Sequence, residues 1–564
     1  MKIQTLLSIT ALSAALAACG GGDVVIDAQN NSPVDNSVGD NSNNVDNGGE
    51  TPTTPTTNPC ASYTDASGVI QGDYSAATGD CTYRTNFVSL NKPYVGEGEL
   101  FLADLPNDGV HIFNGSLVIG QNYDNDADRI AAGIMQGGDG SVLRIEAGAT
   151  LAFRSADDYF VINRGSQVFA EGEAGAPITV TSVSDAVDGT VDPEADGEWG
   201  GMIINGFGVT NKCEYTGSVD DGTIAIAPGE ECNVEAEGKA GAGQTHYGGD
   251  NNDDNSGVLN YFIVKHTGAQ VAAGNELNGI SFDAVGSGTL VDYLQAYSTL
   301  DDGIEMFGGA VNISHYIGMY VRDDSIDIDE GYRGTISHAL VIQSENYGNQ
   351  CVESDGIGSH DKKDQATITD FITRGLHSQA KINNLTCIIS PSNQGTRGEG
   401  AGIRIREAHM PEIKNTIMTT AYGAETNPGT EDHFCLRIEH ESGQAALDDI
   451  LTIEDSVFAC TVLTKGDLNG SSTLDWLNLE NDTMATLTGG ENPADDATDV
   501  NIALFTNGFY SLPVADMVIN GGAVTATPDN DLLGAVSMDD DWTANWAYGL
   551  HEGNRGQALW FVAE

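Results

Sequence analysis

The chain has 564 residues, with 83 Asp and Glu against 23 Lys and Arg and a formal charge of -60 at pH 7. Charge of that sign and size works against nucleic acid and anionic membrane surfaces as partners; it suits divalent cations, high external salt or cationic ligands. The 70 Gly, the scattered Val, Ile and Thr and the shortage of long helix-forming stretches exclude an α-rich enzyme and favour β structure with many turns.

Met1-Lys2, the apolar run Ile3 to Ala18 and the sequence Leu16-Ala17-Ala18-Cys19-Gly20 form a signal peptide of the bacterial lipoprotein kind over residues 1–18, too short to span a bilayer. Cys19 is the expected lipidated residue. Gly20 rather than Asp after it reads as transit to the outer membrane, on its periplasmic or cell-surface side. Residues 19–59 are Asn, Asp, Gly, Ser, Thr and Pro with hardly an aromatic, a composition that cannot bury a core, and are expected to be a disordered acidic tether.

Eight further cysteines fall into sequential pairs in a chain that leaves the cytoplasm, so disulfides are expected between Cys60 and Cys81, Cys213 and Cys232, Cys351 and Cys387, and Cys435 and Cys460. Closing loops of such size stabilises by roughly 3 kcal/mol each in the chain-entropy picture.

Beyond the tether the sequence repeats. Asp301-Asp302-Gly303-Ile304-Glu305-Met306-Phe307 recurs twenty-odd residues later as Asp323-Asp324-Ser325-Ile326-Asp327-Ile328-Asp329. Asn278-Gly279-Ile280-Ser281-Phe282 precedes them in the same frame, and Asp355-Gly356-Ile357 and Gly402-Ile403-Arg404-Ile405 follow more loosely. Each period holds short alternating strands with turns between, which predicts one coil of an all-β, right-handed parallel β-helix. Its ends must be capped, so 60–110 is expected to be an N-terminal cap, 111–460 the helical body, and 461–564 the last coils and a C-terminal cap. Trp542 and Trp546, four residues apart, are expected to serve packing there.

The run Trp199-Gly200-Gly201-Met202-Ile203-Ile204-Asn205-Gly206, the stretches Tyr247-Gly248-Gly249, Asp254-Asn255-Ser256-Gly257 and Glu276-Leu277-Asn278-Gly279-Ile280, and the late Asp541-Trp542-Thr543 resemble a family of exported proteobacterial lipoproteins. That resemblance implies a parallel β-helix that often accompanies TonB-dependent receptors, with no agreed biochemical activity.

Alternation places Ile304, Met306, Ile326 and Ile328 on one side of their strands and Glu305, Asp327 and Asp329 on the other. In stacked coils Asn278, Asp302, Asp324 and Asp355 are expected to form one column and Ser281, Glu305 and Asp327 a second. Carboxylates ~4.8 Å apart in such columns repel, and bound Ca2+, a raised pKa or a nearby Arg322, Arg333 or Arg404 would relieve them. Glu305, Asp327 and Asp329 are therefore candidate metal ligands for Ca2+, although no Asp run completes a calcium loop: Asp124-x-Asp126-x-Asp128 meets Arg129 where a glycine belongs. Ordinary hydrogen-bonded turn ladders are the alternative reading.

A weaker similarity, to polygalacturonase-like β-helices, implies a catalytic role for Asp302, Asp323 and Asp324 and a substrate-holding role for His360, Arg404 and Arg406. The chain departs from that pattern: the residues before the first Asp differ, Gly358-Ser359-His360 is rearranged and Arg406 stands where Lys belongs. His266, His315 and His338 lack metal-ligand spacing and are expected to be packed or surface histidines. The functions these readings support are a non-catalytic binding or adhesion scaffold for an extracellular polysaccharide, a surface or a receptor. A polysaccharide depolymerase and an architectural cell-surface component are the alternatives.

Overall fold

The computed structural model describes residues 58–238, 244–272, 275–392, 400–420, 433–460, 462–479 and 485–488. Toward the C-terminus it describes 509–511, 518–519, 522–523, 533–551, 555–556 and 558–561. Met1–Thr56 is one unit and Thr57–Glu564 another; the signal peptide, Cys19 and nearly all of the tether lie outside the described residues. No helix among the described residues is long and apolar enough to cross a membrane.

The repeat in the sequence is a repeat in space. One face of the body is a sheet in which Leu117–Ile119, Phe160–Ile162, Met202–Asn205, Ile280–Asp283, Ile304–Phe307, Ile326–Asp329, Gln350–Asp355, Ala401–Arg406, Leu436–Ile438 and Thr464–Leu468 pair in parallel, each with the next. Ile280, Ile304 and Ile326 are in register and fully buried. So are Phe282, Met306 and Ile328. The alternation thus delivers an inward ladder whose members each contribute about 1.5–3 kcal/mol by leaving water.

The other two faces are often made by one strand. Gly257–Lys265, Leu290–Tyr297, Asn312–Met319, Thr335–Ile342 and Lys381–Ile389 pair in parallel, and each turns a corner at a residue with positive φ: Tyr261, Tyr293, His315, His338 and Asn384. Upstream the same two faces are separate strands, Gln167–Glu171 and Ile178–Ser182, both paired with Gly257–Lys265. A left-handed backbone is costly for bulky residues, yet it aims their side chains at one another. The Tyr261 and Tyr293 rings stack at 4.2 Å, and His338 stacks on His315 at 5.0 Å. These histidines are a packed corner ladder.

Parallel pairing already begins at Cys81–Tyr83, which pairs with Val110–Phe113; that strand and Glu99–Leu102 pair in turn with Thr150–Phe153 and Val142–Ile145. The coils therefore start earlier than the boundary at 111 read from the sequence, because Leu100 and Leu102 alternate inward like any other coil strand. Cys60, Cys81, Tyr83 and Phe87 join the same core. Described residues from Phe509 on lie along a flank: Phe509, Val536, Trp546, Leu550 and Phe561 pack on Ile263, Tyr297, Ile317, Leu340 and Ile388.

All four disulfides join the cysteines in sequential pairs, Cys60–Cys81, Cys213–Cys232, Cys351–Cys387 and Cys435–Cys460. Cys351 and Cys387 sit on different faces of the coil and are fully buried, so this bridge crosses the interior.

Candidate functional site: an acidic face

The outward positions of the first sheet carry the charge. Ser281, Glu305, Asp327, Glu353, Arg404, Arg437 and Lys465 are successive register partners. Parallel register puts like residues at neighbouring heights, so three carboxylates follow one another before the sign inverts.

The turn before each strand adds a second row. Asp302 N–H donates to Asn278 Oδ1 at 3.3 Å, Asp324 N–H to Asp302 Oδ1 at 3.0 Å, and Gln350 N–H to Asp324 Oδ1 at 2.6 Å. One oxygen of each aspartate is thus tied to the backbone of the next coil, which is the turn-ladder role. Asp355 is not in this row: Asp327 pairs with Glu353 and Ile328 with Ser354, so Gln350 occupies the equivalent place and Asp355 lies at the far end of its strand. The stretch between Ile342 and Gln350 is longer than its counterpart between Met319 and Asp324, which breaks the repeat length, and counting from Asp-Gly-Ile pairs put Asp355 in the wrong column.

The remaining oxygens converge. Asp302, Glu305 and Asp327 each bring a carboxylate oxygen within 4.8 Å of the others, and Asp301, Asp302 and Asp323 do the same. Asp302 belongs to both groups. Asp302 and Glu305 are each 7% exposed and Asp324 4%, while Asp323, Asp327 and Asp329 are half-buried. Asn278 Nδ2 donates to Glu305 Oε2 at 2.5 Å and Asn349 Nδ2 to Asp323 Oδ1 at 2.6 Å. Asp327 Oδ1 is buried with no hydrogen-bond partner among the described residues.

Burial, and after it the neighbouring carboxylates, push the pKa of Asp302, Glu305, Asp324, Asp327 and Asp329 well above the usual carboxylate range. Glu353 is also raised by burial, but Arg406 and Arg404 work against it. Arg404 bridges Glu353 at 3.1 Å and Glu439 at 3.0 Å, and Arg406 holds Asp355 at 2.8 Å and Glu353 at 3.0 Å. The structure thus brings both arginines onto the face of Asp302, Glu305 and Asp327, with their guanidinium groups engaged by acids.

His360 stands apart, past the corner that follows this sheet. Its Nε2 lies 2.9 Å from Glu441 Oε2, and its ring stacks on His440 at 5.2 Å. Glu353, Glu407, Arg437 and His440 were missed in the sequence. The alternation Val352-Glu353-Ser354 and Leu436-Arg437-Ile438 was available to place the first and third.

A family model described as a pectate-lyase-like beta helix domain matches residues 124–498. The chain belongs to this family. The match encloses every one of the carboxylates and arginines above. No curated protein and no solved structure matches the chain.

The donor set suits a hard cation. Carboxylate oxygens, with Asp327 Oδ1 buried and unpartnered among the described residues, are what Ca2+ takes, in a geometry tolerant of irregular spacing. Of the expected ligands Glu305, Asp327 and Asp329, the first two would hold such an ion together with Asp302, while Asp329 stands outside the group and Asp301 and Asp323 lie close by.

Proposed function

We propose that the protein is an exported lipoprotein, anchored at the outer membrane through Cys19, whose β-helix domain is a non-catalytic, calcium-stabilised scaffold for an extended polymer, a surface or a receptor partner. The observation that carries this reading is the Asp302–Glu305–Asp327 cluster, in which one carboxylate oxygen of each residue lies within 4.8 Å of the other two. A long stack of identical spacings matches a ligand that is itself repetitive. The tether supplies reach, and the acidic surface supports a role outside the cytoplasm.

The Oδ1 atoms of Asp302 and Asp324, tied to backbone N–H groups and nearly out of solvent, support positioning roles for these residues. The depolymerase reading draws its support from family membership over 124–498. Thermal unfolding of the protein with Ca2+ and with chelator, followed by a reducing-end assay on acidic polysaccharides, tests both. A melting temperature raised by Ca2+ with no ends released supports the scaffold. Release of ends that Asp324→Asn abolishes overturns it in favour of the enzyme.

A further inference from the structure

At the corner after the acidic face, three successive coils bring three other ligating groups together. His360 comes from the short helical turn His360–Lys362 after Gln350–Asp355, Glu407 directly follows Ala401–Arg406, and His440 lies two residues after the end of Leu436–Ile438. Those strands are consecutive in the sheet, so the coils of His360 and His440 lie about 9.6 Å apart, two strand spacings. Their ring centroids are nevertheless 5.2 Å apart, and one ligating atom from each of His360, Glu407 and His440 falls within 4.8 Å of the other two. The side chains converge more closely than their coils.

Two further observations bear on what this convergence is for. Glu441 Oε2 takes up His360 Nε2 at 2.9 Å, which leaves the lone pair of a neutral imidazole on Nδ1; that atom is buried and has no hydrogen-bond partner among the described residues, in a residue only 9% exposed. A carboxylate holding the far nitrogen of a histidine is the arrangement that orients a metal-binding imidazole. The backbone is also held in costly conformations at the ligands: Glu407 has φ 55°, and His440 has φ 54° with ψ -142°. A side chain at such angles costs on the order of 1–3 kcal/mol, and positions of this kind cluster at ligand-holding sites.

We propose that His360, Glu407 and His440 form a binding site for a divalent transition-metal ion, zinc by preference, with Glu441 orienting His360. Two imidazoles and one carboxylate are the ligand set of borderline cations, and they leave a coordination position open for water or a bound molecule. The site is distinct in chemistry from the oxygen-only acidic face, so Ca2+ and zinc select between them.

The test titrates the full-length protein with Zn2+, and with Co2+ as a visible probe, in excess Ca2+ so that oxygen-only sites are already filled. One tight equivalent is expected, with Co2+ showing the absorption of a nitrogen-ligated ion. His440→Gly suits the backbone angles at that exposed position, so it should keep the fold by circular dichroism and lose the equivalent. Glu441→Gln should weaken binding by roughly 10–100-fold without removing it. No tight Zn2+ in the presence of Ca2+, or an equivalent retained by both His440→Gly and Glu407→Gln, overturns the proposal.

Discussion

Tyr293 and His315 lie face to face across adjacent coils, 4.4 Å between centroids and 3° from parallel, each with φ 51°. The strain of the left-handed corner and the stacking it permits are one feature. Trp542 closes over His315 edge-on at 5.0 Å, and His315 Nδ1 meets Asp292 Oδ1 at 2.7 Å. His315→Asn, which tolerates the corner backbone, should lose about 1 kcal/mol of stacking. His315→Val should lose a further 1–2 kcal/mol or so from backbone strain. Denaturant unfolding of the two variants measures the gap; equal stabilities would refute a role for the backbone angle.

Glu305 is held in a folded state that favours its protonated form, because burial and then Asp327 raise its pKa. The sign follows: without cation, the native state is penalised at neutral pH, and the penalty lifts as pH falls through the raised pKa. Glu305→Gln mimics the protonated group. In chelator at pH 7 it should melt higher than the parent, and Ca2+ should raise its melting temperature less. A variant that melts lower in chelator and keeps the full response to Ca2+ would contradict this account.

Three buried histidines act in the opposite sense. Burial lowers His111 and His377 to about 4 and His409 to about 3. Each folded pKa lies below the unfolded value near 6.5, so their contribution is complete above that pH and is lost as the solution is acidified toward 4. The loss amounts to roughly 3 kcal/mol per histidine. His409→Gln should flatten the stability curve between pH 6.5 and 4, read by urea unfolding at several pH values; an unchanged slope would count against the assignment.

Glu330 is 3% exposed and accepts from Thr210 Oγ1 at 2.6 Å, Tyr247 Oη at 2.7 Å and Lys212 Nζ at 2.9 Å. All three donors belong to the stretch between Met202–Asn205 and Gly257–Lys265 that carries Cys213–Cys232. Glu330→Ala strands a partly buried ammonium and two hydroxyls and should cost about 3 kcal/mol. Limited proteolysis should then cut within 206–250 while the other coils persist; unchanged protection there would show that Glu330 does not hold the segment.

Much of the architecture was legible because a solenoid is specified locally. Ile304 and Ile326 announce their register in one repeat unit, and the sequential cysteines needed only an oxidising address. Reading failed where a coil changes length. Between Asp329 and Gln350 the insertion shifted Asp355 out of the expected column and hid Glu353, the carboxylate that lies beside Asp327 and meets Arg404 and Arg406. It also failed where chemistry is assembled across coils: nothing in the spacing of His360, Glu407 and His440 marks them as neighbours. The corner residues Tyr261, Tyr293, His315 and His338 were opaque for a related reason, since no local signal predicts a left-handed tyrosine or histidine.

The outward column that passes from Glu305, Asp327 and Glu353 to Arg404, Arg437 and Lys465 gives the face a direction. A rod-like guest laid along the coils meets a run of carboxylates at one end and, at the other, basic side chains of which the arginines are already held by acids. Turned end for end, it meets them in reverse, so a guest with unlike ends has a preferred heading on this surface, set by nothing more than the order in which the coils are stacked.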